Sequence, residues 1–113
     1  SSLRPSIVND FIFTVSEEGF LIVIDSKSGK IIRSTDLFDK FKIKKRKKIK
    51  PTGFVLGSKK LYLSTSTGRL LIVDIETGKT QSIIKIDSEK ISRPIILKQS
   101  LFVVKNNSVI KLN

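Results

Sequence analysis

Residues 12–30, IFTVSEEGFLIVIDSKSGK, and residues 61–79, LYLSTSTGRLLIVDIETGK, are two copies of one pattern. The second copy follows the first at an offset of 49 residues, without a gap. The residues that punctuate the pattern align at this offset, and they are Gly19 with Gly68, Asp25 with Asp74, and Gly29 with Gly78. Self-similarity at a fixed period is the signature of a protein built from repeated structural units. The sequence therefore predicts a repeat architecture.

A third, partial copy and the prolines extend this register over the chain. The partial copy begins at Leu101, and each proline follows a basic residue. Pro5 lies seven residues before Ile12, and Pro94 lies seven residues before Leu101. We therefore divide one domain, residues 1–113, into repeat 1 at about 5–50, repeat 2 at about 51–93 and a partial repeat 3 at 94–113.

Short segments within the repeats have the composition of β-strands. They are rich in β-branched and aromatic residues, they are bounded by turn residues, and they lack a sustained helical period. The segments predicted as strands are 11–15, 20–24, 60–64, 70–73 and 101–104. Several are apolar on both faces, as expected of strands that lie between neighbouring layers. The predicted fold class is all-β, with antiparallel strands.

The aligned glycines and aspartates are predicted to be structural turn residues. Glycine supplies the positive φ that reverses one strand into the next, which is the role we assign to Gly19 and Gly68. An aspartate side chain can accept bonds from backbone N–H groups two or three residues later, as we expect for Asp25 and Asp74. The glycines at 29 and 78 then close these turns in the left-handed conformation. Turn chemistry explains all six residues without a bound ligand.

The composition argues against an enzyme confined to these 113 residues. Histidine, cysteine, tryptophan and methionine are all absent, so the commonest catalytic base, the strongest nucleophile and the usual zinc ligands are missing. The carboxylates form no spaced pair with a supporting base, and we predict no catalytic residue, metal or cofactor. No apolar run approaches the roughly 20 residues that a membrane-spanning helix needs.

Most of the net charge of +12 lies in one segment, which we call the basic connection (residues 40–50). It holds eight of the 22 basic residues and no acidic residue. The plainest interpretation is a solvated excursion whose lysines protect an exposed edge. An alternative is attraction to anionic lipids or acidic partner proteins. Nucleic acid is a weaker alternative, since Phe41 is the only aromatic residue in the segment and single-strand recognition needs stacking platforms. The residues predicted to meet an anionic surface are Lys42, Lys44, Lys45, Arg46, Lys47, Lys48 and Lys50.

The repeats resemble those of quinoprotein (PQQ-like) β-propellers. Those repeats combine a strand, a glycine hairpin, an Asp, a Thr-Gly-Lys turn and a tryptophan three residues later, and residues 23–30 and 72–79 match the core of this pattern. Arg33 and Ser82 stand where the docking tryptophan would fall, which argues against a quinone site. The resemblance then favours the non-enzymatic branch, typified by the lipoprotein propeller (BamB) of the bacterial outer-membrane β-barrel assembly machinery.

The resemblance implies a propeller scaffold that binds other proteins, including outer-membrane assembly components, in the bacterial periplasm. Two alternatives stay open, a fragment of a quinone-dependent dehydrogenase and a basic propeller that binds nucleic acid. Two to three repeats cannot close a ring of about four to eight blades. We therefore expect the chain either to belong to a longer protein or to complete its ring by self-association. The sequence Asn106-Asn107-Ser108 fits the glycosylation acceptor pattern, but a hairpin turn explains it better.

Overall fold

A computed structural model describes residues 3–105 and 107–112 as three antiparallel β-sheets and one short helix. The first sheet contains β1 (Ser6–Val8), β2 (Phe11–Val15), β3 (Phe20–Asp25) and β4 (Ile31–Asp36). The helix α1 (Ile43–Arg46) follows. The second sheet contains β5 (Pro51–Leu56), β6 (Lys60–Thr65), β7 (Arg69–Asp74) and β8 (Thr80–Lys85). The third contains β9 (Ile95–Leu97), β10 (Ser100–Lys105) and β11 (Ser108–Lys111). The all-β prediction is confirmed, and each sheet is an up-and-down meander.

The first two sheets repeat their hydrogen bonds at the offset of 49 residues. The Oδ1 atom of Asp25 accepts a bond from the Lys27 amide at 3.0 Å, and Oδ1 of Asp74 accepts one from the Glu76 amide at 2.8 Å. Both sheets carry a register shift at the same place, after Val23 and after Ile72. The four aligned glycines have positive φ angles, which are +90° at Gly19, +74° at Gly29, +75° at Gly68 and +75° at Gly78. The sequence repeat is thus a repeat of backbone geometry.

The main core lies between the first and second sheets. In β2 and β3 every second side chain is buried toward the second sheet, and in β6 and β7 every second side chain is buried toward the first. The buried strand residues of this core are Phe13, Val15, Leu21 and Val23 from the first sheet, and Phe54, Leu61, Leu63, Leu71 and Val73 from the second. The two sheets therefore stack face to face.

The third sheet covers the opposite face of the second. Leu70 alternates with Leu71 along β7, and both are fully buried, so both faces of the second sheet are covered. In the third sheet, Leu101 is 6% exposed and Val103 is 0% exposed. The segment between β8 and β9 is bound to the second sheet as well, because the Thr52 hydroxyl of β5 donates a 2.9 Å hydrogen bond to the Ile91 carbonyl. The asparagine of the glycosylation pattern, Asn106, lies outside the described residues.

Arg33 joins the first two sheets at the position where the quinoprotein-like repeats carry their docking tryptophan. It lies on β4 opposite Val23, and its guanidinium donates hydrogen bonds to the carbonyls of Ile75 and Glu76 in the turn between β7 and β8. Gly78 belongs to the same turn and allows it to lie this close to β4, because a Cβ atom at this position would lie only 2.6 Å from Oγ1 of Thr35. A cation that binds two backbone carbonyls therefore connects the sheets at this position.

Replacement of Arg33 by alanine is expected to lower the free energy of unfolding by about 1–2 kcal/mol, because two charge-assisted hydrogen bonds between sheets are lost. Ser82→Ala is the matched control: Ser82 occupies the aligned position of the second sheet and is exposed. The control should stay within about 0.5 kcal/mol of the parent. Urea unfolding followed by circular dichroism measures both values, and equal losses would contradict the docking role.

Candidate binding surface

The basic connection lies at one end of the sheets. Connections of an antiparallel meander alternate between its two ends, so the β4–β5 connection shares an end with the β2–β3 and β6–β7 turns. Hydrogen bonds join these three segments. The Leu37 amide donates to the Gly19 carbonyl at 2.9 Å, and the Ser66 amide donates to the Lys50 carbonyl at 2.8 Å. The basic residues are therefore displayed beside two hairpin turns.

Apolar residues anchor the basic connection to the core. Before it, Phe38 is 1% exposed, and its ring lies directly over Gly19, where a Cβ atom would come within 2.4 Å of the ring. Phe41 packs edge-on against Phe38, with 5.7 Å between the ring centroids. Near its end, Ile49 is 4% exposed and belongs to the main core. The intervening lysines are thus held on a segment that is fixed at both sides.

The seven predicted residues divide into two groups. Arg46 is half-buried and directed inward: its Nε donates to the Phe41 carbonyl at 3.1 Å, and its guanidinium lies 3.3 Å from Oδ2 of Asp36. Lys50 pairs with Glu17 at 3.7 Å. The other five are exposed on the connection, and they are Lys42, Lys44, Lys45, Lys47 and Lys48. Arg46 therefore shapes the segment on which the five lysines are presented.

A cavity of about 270 Å³ opens between the basic connection and the β6–β7 turn. Its lining combines apolar and cationic side chains, which are Phe41, Lys45, Lys48, Ile49, Thr67 and Arg69. Arg69 is held in place by bonds from its guanidinium to the carbonyls of Thr67 at 2.8 Å and Asp87 at 3.1 Å. Three cations from two segments therefore surround an apolar floor.

Arg69 is a site residue that the sequence interpretation missed. It lies 19 residues beyond the basic connection, and only the hairpin of the second sheet brings it to the cavity. A signal was present in the repeat, because Arg69 aligns with Phe20 at the offset of 49 residues. A charged residue that replaces an aromatic residue between otherwise similar copies indicates a local change of role.

Among residues 3–105 and 107–112, no group of three or more His, Cys, Asp or Glu residues could hold a metal ion. Within the same residues, no helix is long and apolar enough to cross a membrane.

Comparisons with known proteins identify the arrangement of the three sheets. No family model and no curated protein matches the sequence. The WD40 β-propeller domain of Doa1 superposes with a TM-score of 0.72 over 97% of this chain and 35% of its own, at 12% identity. The chain has a β-propeller fold. Each sheet is thus a propeller blade.

Two further structures are similar. The quinohemoprotein alcohol dehydrogenase from Comamonas testosteroni gives a TM-score of 0.68 at 20% identity, over 89% of this chain and 16% of its own. The computationally designed Ika4 protein gives 0.74 at 11% identity, over 99% of this chain. The chain spans 65% of the length of Ika4 and smaller fractions of the other two. At these low identities the TM-scores establish the propeller fold alone.

Proposed function

We propose that the chain is a protein-binding propeller module that holds acidic segments of partner proteins at its basic connection. The observation that carries the proposal is the cavity lined by Lys45, Lys48 and Arg69 over the apolar floor of Phe41 and Ile49. A carboxylate can accept charge-assisted hydrogen bonds from such cations. An apolar side chain next to that carboxylate in the partner peptide can at the same time cover the floor of Phe41 and Ile49. The site therefore suits a peptide in which acidic and aliphatic residues are neighbours.

The shape of the site favours a peptide over the alternative partners. The cations converge on a concave cavity from two different segments, whereas a bilayer presents a flat anionic surface. Phe41 is half-buried, and its ring contacts Phe38. It is therefore poorly placed to act as a stacking platform for nucleic acid bases.

The binding test uses a short fluorescent peptide in which several glutamates flank one leucine. We expect Lys45→Ala/Lys48→Ala to weaken binding about tenfold or more, because two cations at the cavity are lost. The matched control is Lys59→Ala/Lys79→Ala, which removes the same charge from exposed lysines in turns at the other end of the second blade. Fluorescence anisotropy measures both affinities, and the parent's affinity should fall between about 50 and 300 mM salt.

The control double variant distinguishes binding at the cavity from a general effect of the protein's net charge. An equal loss in both double variants would contradict the proposal, because it would reduce the effect to net charge. Phosphatidylserine vesicles and a single-stranded oligonucleotide provide two further measurements. Binding to either of these, with dependence on Lys45 and Lys48 and without peptide binding, would assign the surface to a lipid or nucleic acid partner instead.

The role in outer-membrane assembly and the location in the bacterial envelope remain proposals that rest on the resemblance of the repeats. Cell fractionation of the native protein tests them directly. Recovery with barrel-assembly proteins in the outer-membrane fraction would support them, and recovery in the cytosol would refute them. The dehydrogenase alternative rests on the same resemblance, and the positions of its docking tryptophans hold Arg33 and Ser82 here.

A further inference from the structure

The first and third blades each expose apolar residues on one face. On the first blade, Ile7 is 71% exposed and Ile31 is 64% exposed. On the third blade, Leu97 is 61% exposed and Val109 is 69% exposed. Contiguous exposed apolar surface of this kind marks a site of association.

The repeat aligns the open face of the first blade with the face of the second blade that packs against the first blade. We call it the receiving face (Ile7, Ile12, Ile22 and Ile24). Cross-strand partners share a face of a sheet, and Ile12 pairs with both Ile7 and Ile24. The repeat and the strand pairing align these four residues with a set on the second blade, which is Leu56, Leu61, Leu71 and Val73. That set packs in the core against the first blade.

The repeat aligns the open face of the third blade with the face of the first blade that packs against the second blade. We call it the inserting face (Phe102, Val104, Val109 and Lys111). Val104 pairs with Val109, and Phe102 pairs with Lys111. The first blade packs against the second with an equivalent set of residues. In that set Val15 pairs with Leu21, as Val104 does with Val109, and Phe13 pairs with Val23, as Phe102 does with Lys111. Three of the four aligned positions are apolar, and the stem of Lys111 can cover apolar surface while its ammonium stays in water.

From this correspondence we propose that two copies of the chain associate. The inserting face of each copy packs on the receiving face of the other. The two open faces repeat the two halves of an interface that the chain already forms between its first and second blades. The described residues of each copy form three blades, so those of two copies form six. Closed propellers contain about four to eight blades, whereas one copy falls below that range and three copies exceed it. Two chains of these 113 residues therefore form a closed head-to-tail dimer with two identical junctions. This inference is independent of the proposed function.

Sedimentation velocity of the chain at about 300 mM salt, which screens its positive charge, tests the proposal. The expected species has twice the 12.7 kDa mass of one chain. Ile7→Glu on the receiving face and Val109→Glu on the inserting face should each weaken self-association at least about 100-fold, because each buries an unpaired carboxylate in both junctions. Ile43→Glu is the matched control: Ile43 is 76% exposed and lies on α1. It should leave the dimer unchanged.

A mixture of the two face variants distinguishes a head-to-tail junction from a symmetric one. Each variant alone should be a monomer, since every junction uses both faces. When they are mixed, the intact inserting face of Ile7→Glu should pair with the intact receiving face of Val109→Glu and restore one junction. A monomeric parent chain, or dimers that persist in either single variant, would overturn the proposal.

Discussion

Gly68→Ala is expected to lower the free energy of unfolding by about 3 kcal/mol or more. Gly68 has a φ of +75°, which costs an L-residue about 1–2 kcal/mol. A Cβ atom there would also lie 2.1 Å from the Asp87 carbonyl oxygen and 2.5 Å from that of Glu89. These backbone atoms cannot move away easily, because the Ile86 and Asp87 amides both donate to the Gly68 carbonyl. Steric overlap in a packed site adds about 1–3 kcal/mol.

Gly29→Ala is the matched control for this prediction. Gly29 has nearly the same φ, +74°, but an added Cβ atom would meet nothing within 4 Å. Its expected cost is therefore the backbone penalty of about 1–2 kcal/mol alone. Urea unfolding of the two variants separates conformation from packing. Equal losses would mean that the segment at 87–89 does not pack on the β6–β7 turn as described.

Phe38→Ala is expected to cost about 3–5 kcal/mol, because a phenylalanine that is 1% exposed leaves a cavity in the main core. A small domain has only about 5–15 kcal/mol of stability, so the melting temperature should fall by roughly 15 °C or more. The effect should reach the binding surface as well, because Phe38 supports both Gly19 and Phe41. We therefore expect weaker binding of the acidic peptide even at temperatures where the variant is folded.

Phe11→Ala removes the same side chain from an exposed position and serves as the comparison. Phe11 is 42% exposed, so its loss should cost only about 1 kcal/mol and leave peptide binding intact. Differential scanning calorimetry gives the two melting temperatures, and anisotropy gives the affinities. A Phe38 variant as stable as the Phe11 variant would contradict the assignment of Phe38 to the core.

The strands of the repeats were predictable because their cause is local. Residues 11–15 and 60–64 were predicted as strands, and the structure contains β2 at Phe11–Val15 and β6 at Lys60–Thr65. The local sequence pattern does not predict the outer strands β4 and β8. Their exposed positions include charged and polar residues, such as Ser34 and Gln81, and this mixture obscures the strand signal. Edge strands are set largely by pairing with a neighbour, which a local pattern does not report.

The candidate site was predictable only in part. A run of lysines is evident in any sequence, so the basic connection could be identified from charge alone. Charge did not reveal that Arg46 binds inward to Asp36 and the Phe41 carbonyl, or that Arg69 joins the lysines at a cavity. The Arg46 bonds depend on how the connection folds back on residues 36–41, and the position of Arg69 depends on the hairpin of the second sheet.

The sequence by itself determined the repeat, its period and the turns, because glycine geometry, aspartate turn bonds and alternating apolar residues act within a few neighbouring residues. The tertiary structure alone decided which faces stack and which stay open. It also showed that Arg33, at the position where the resembled repeats carry a tryptophan, docks onto the carbonyls of Ile75 and Glu76. The physical reason is that stacking of sheets buries one face of each strand against another strand about 40–50 residues away, and only the assembled fold brings these residues together.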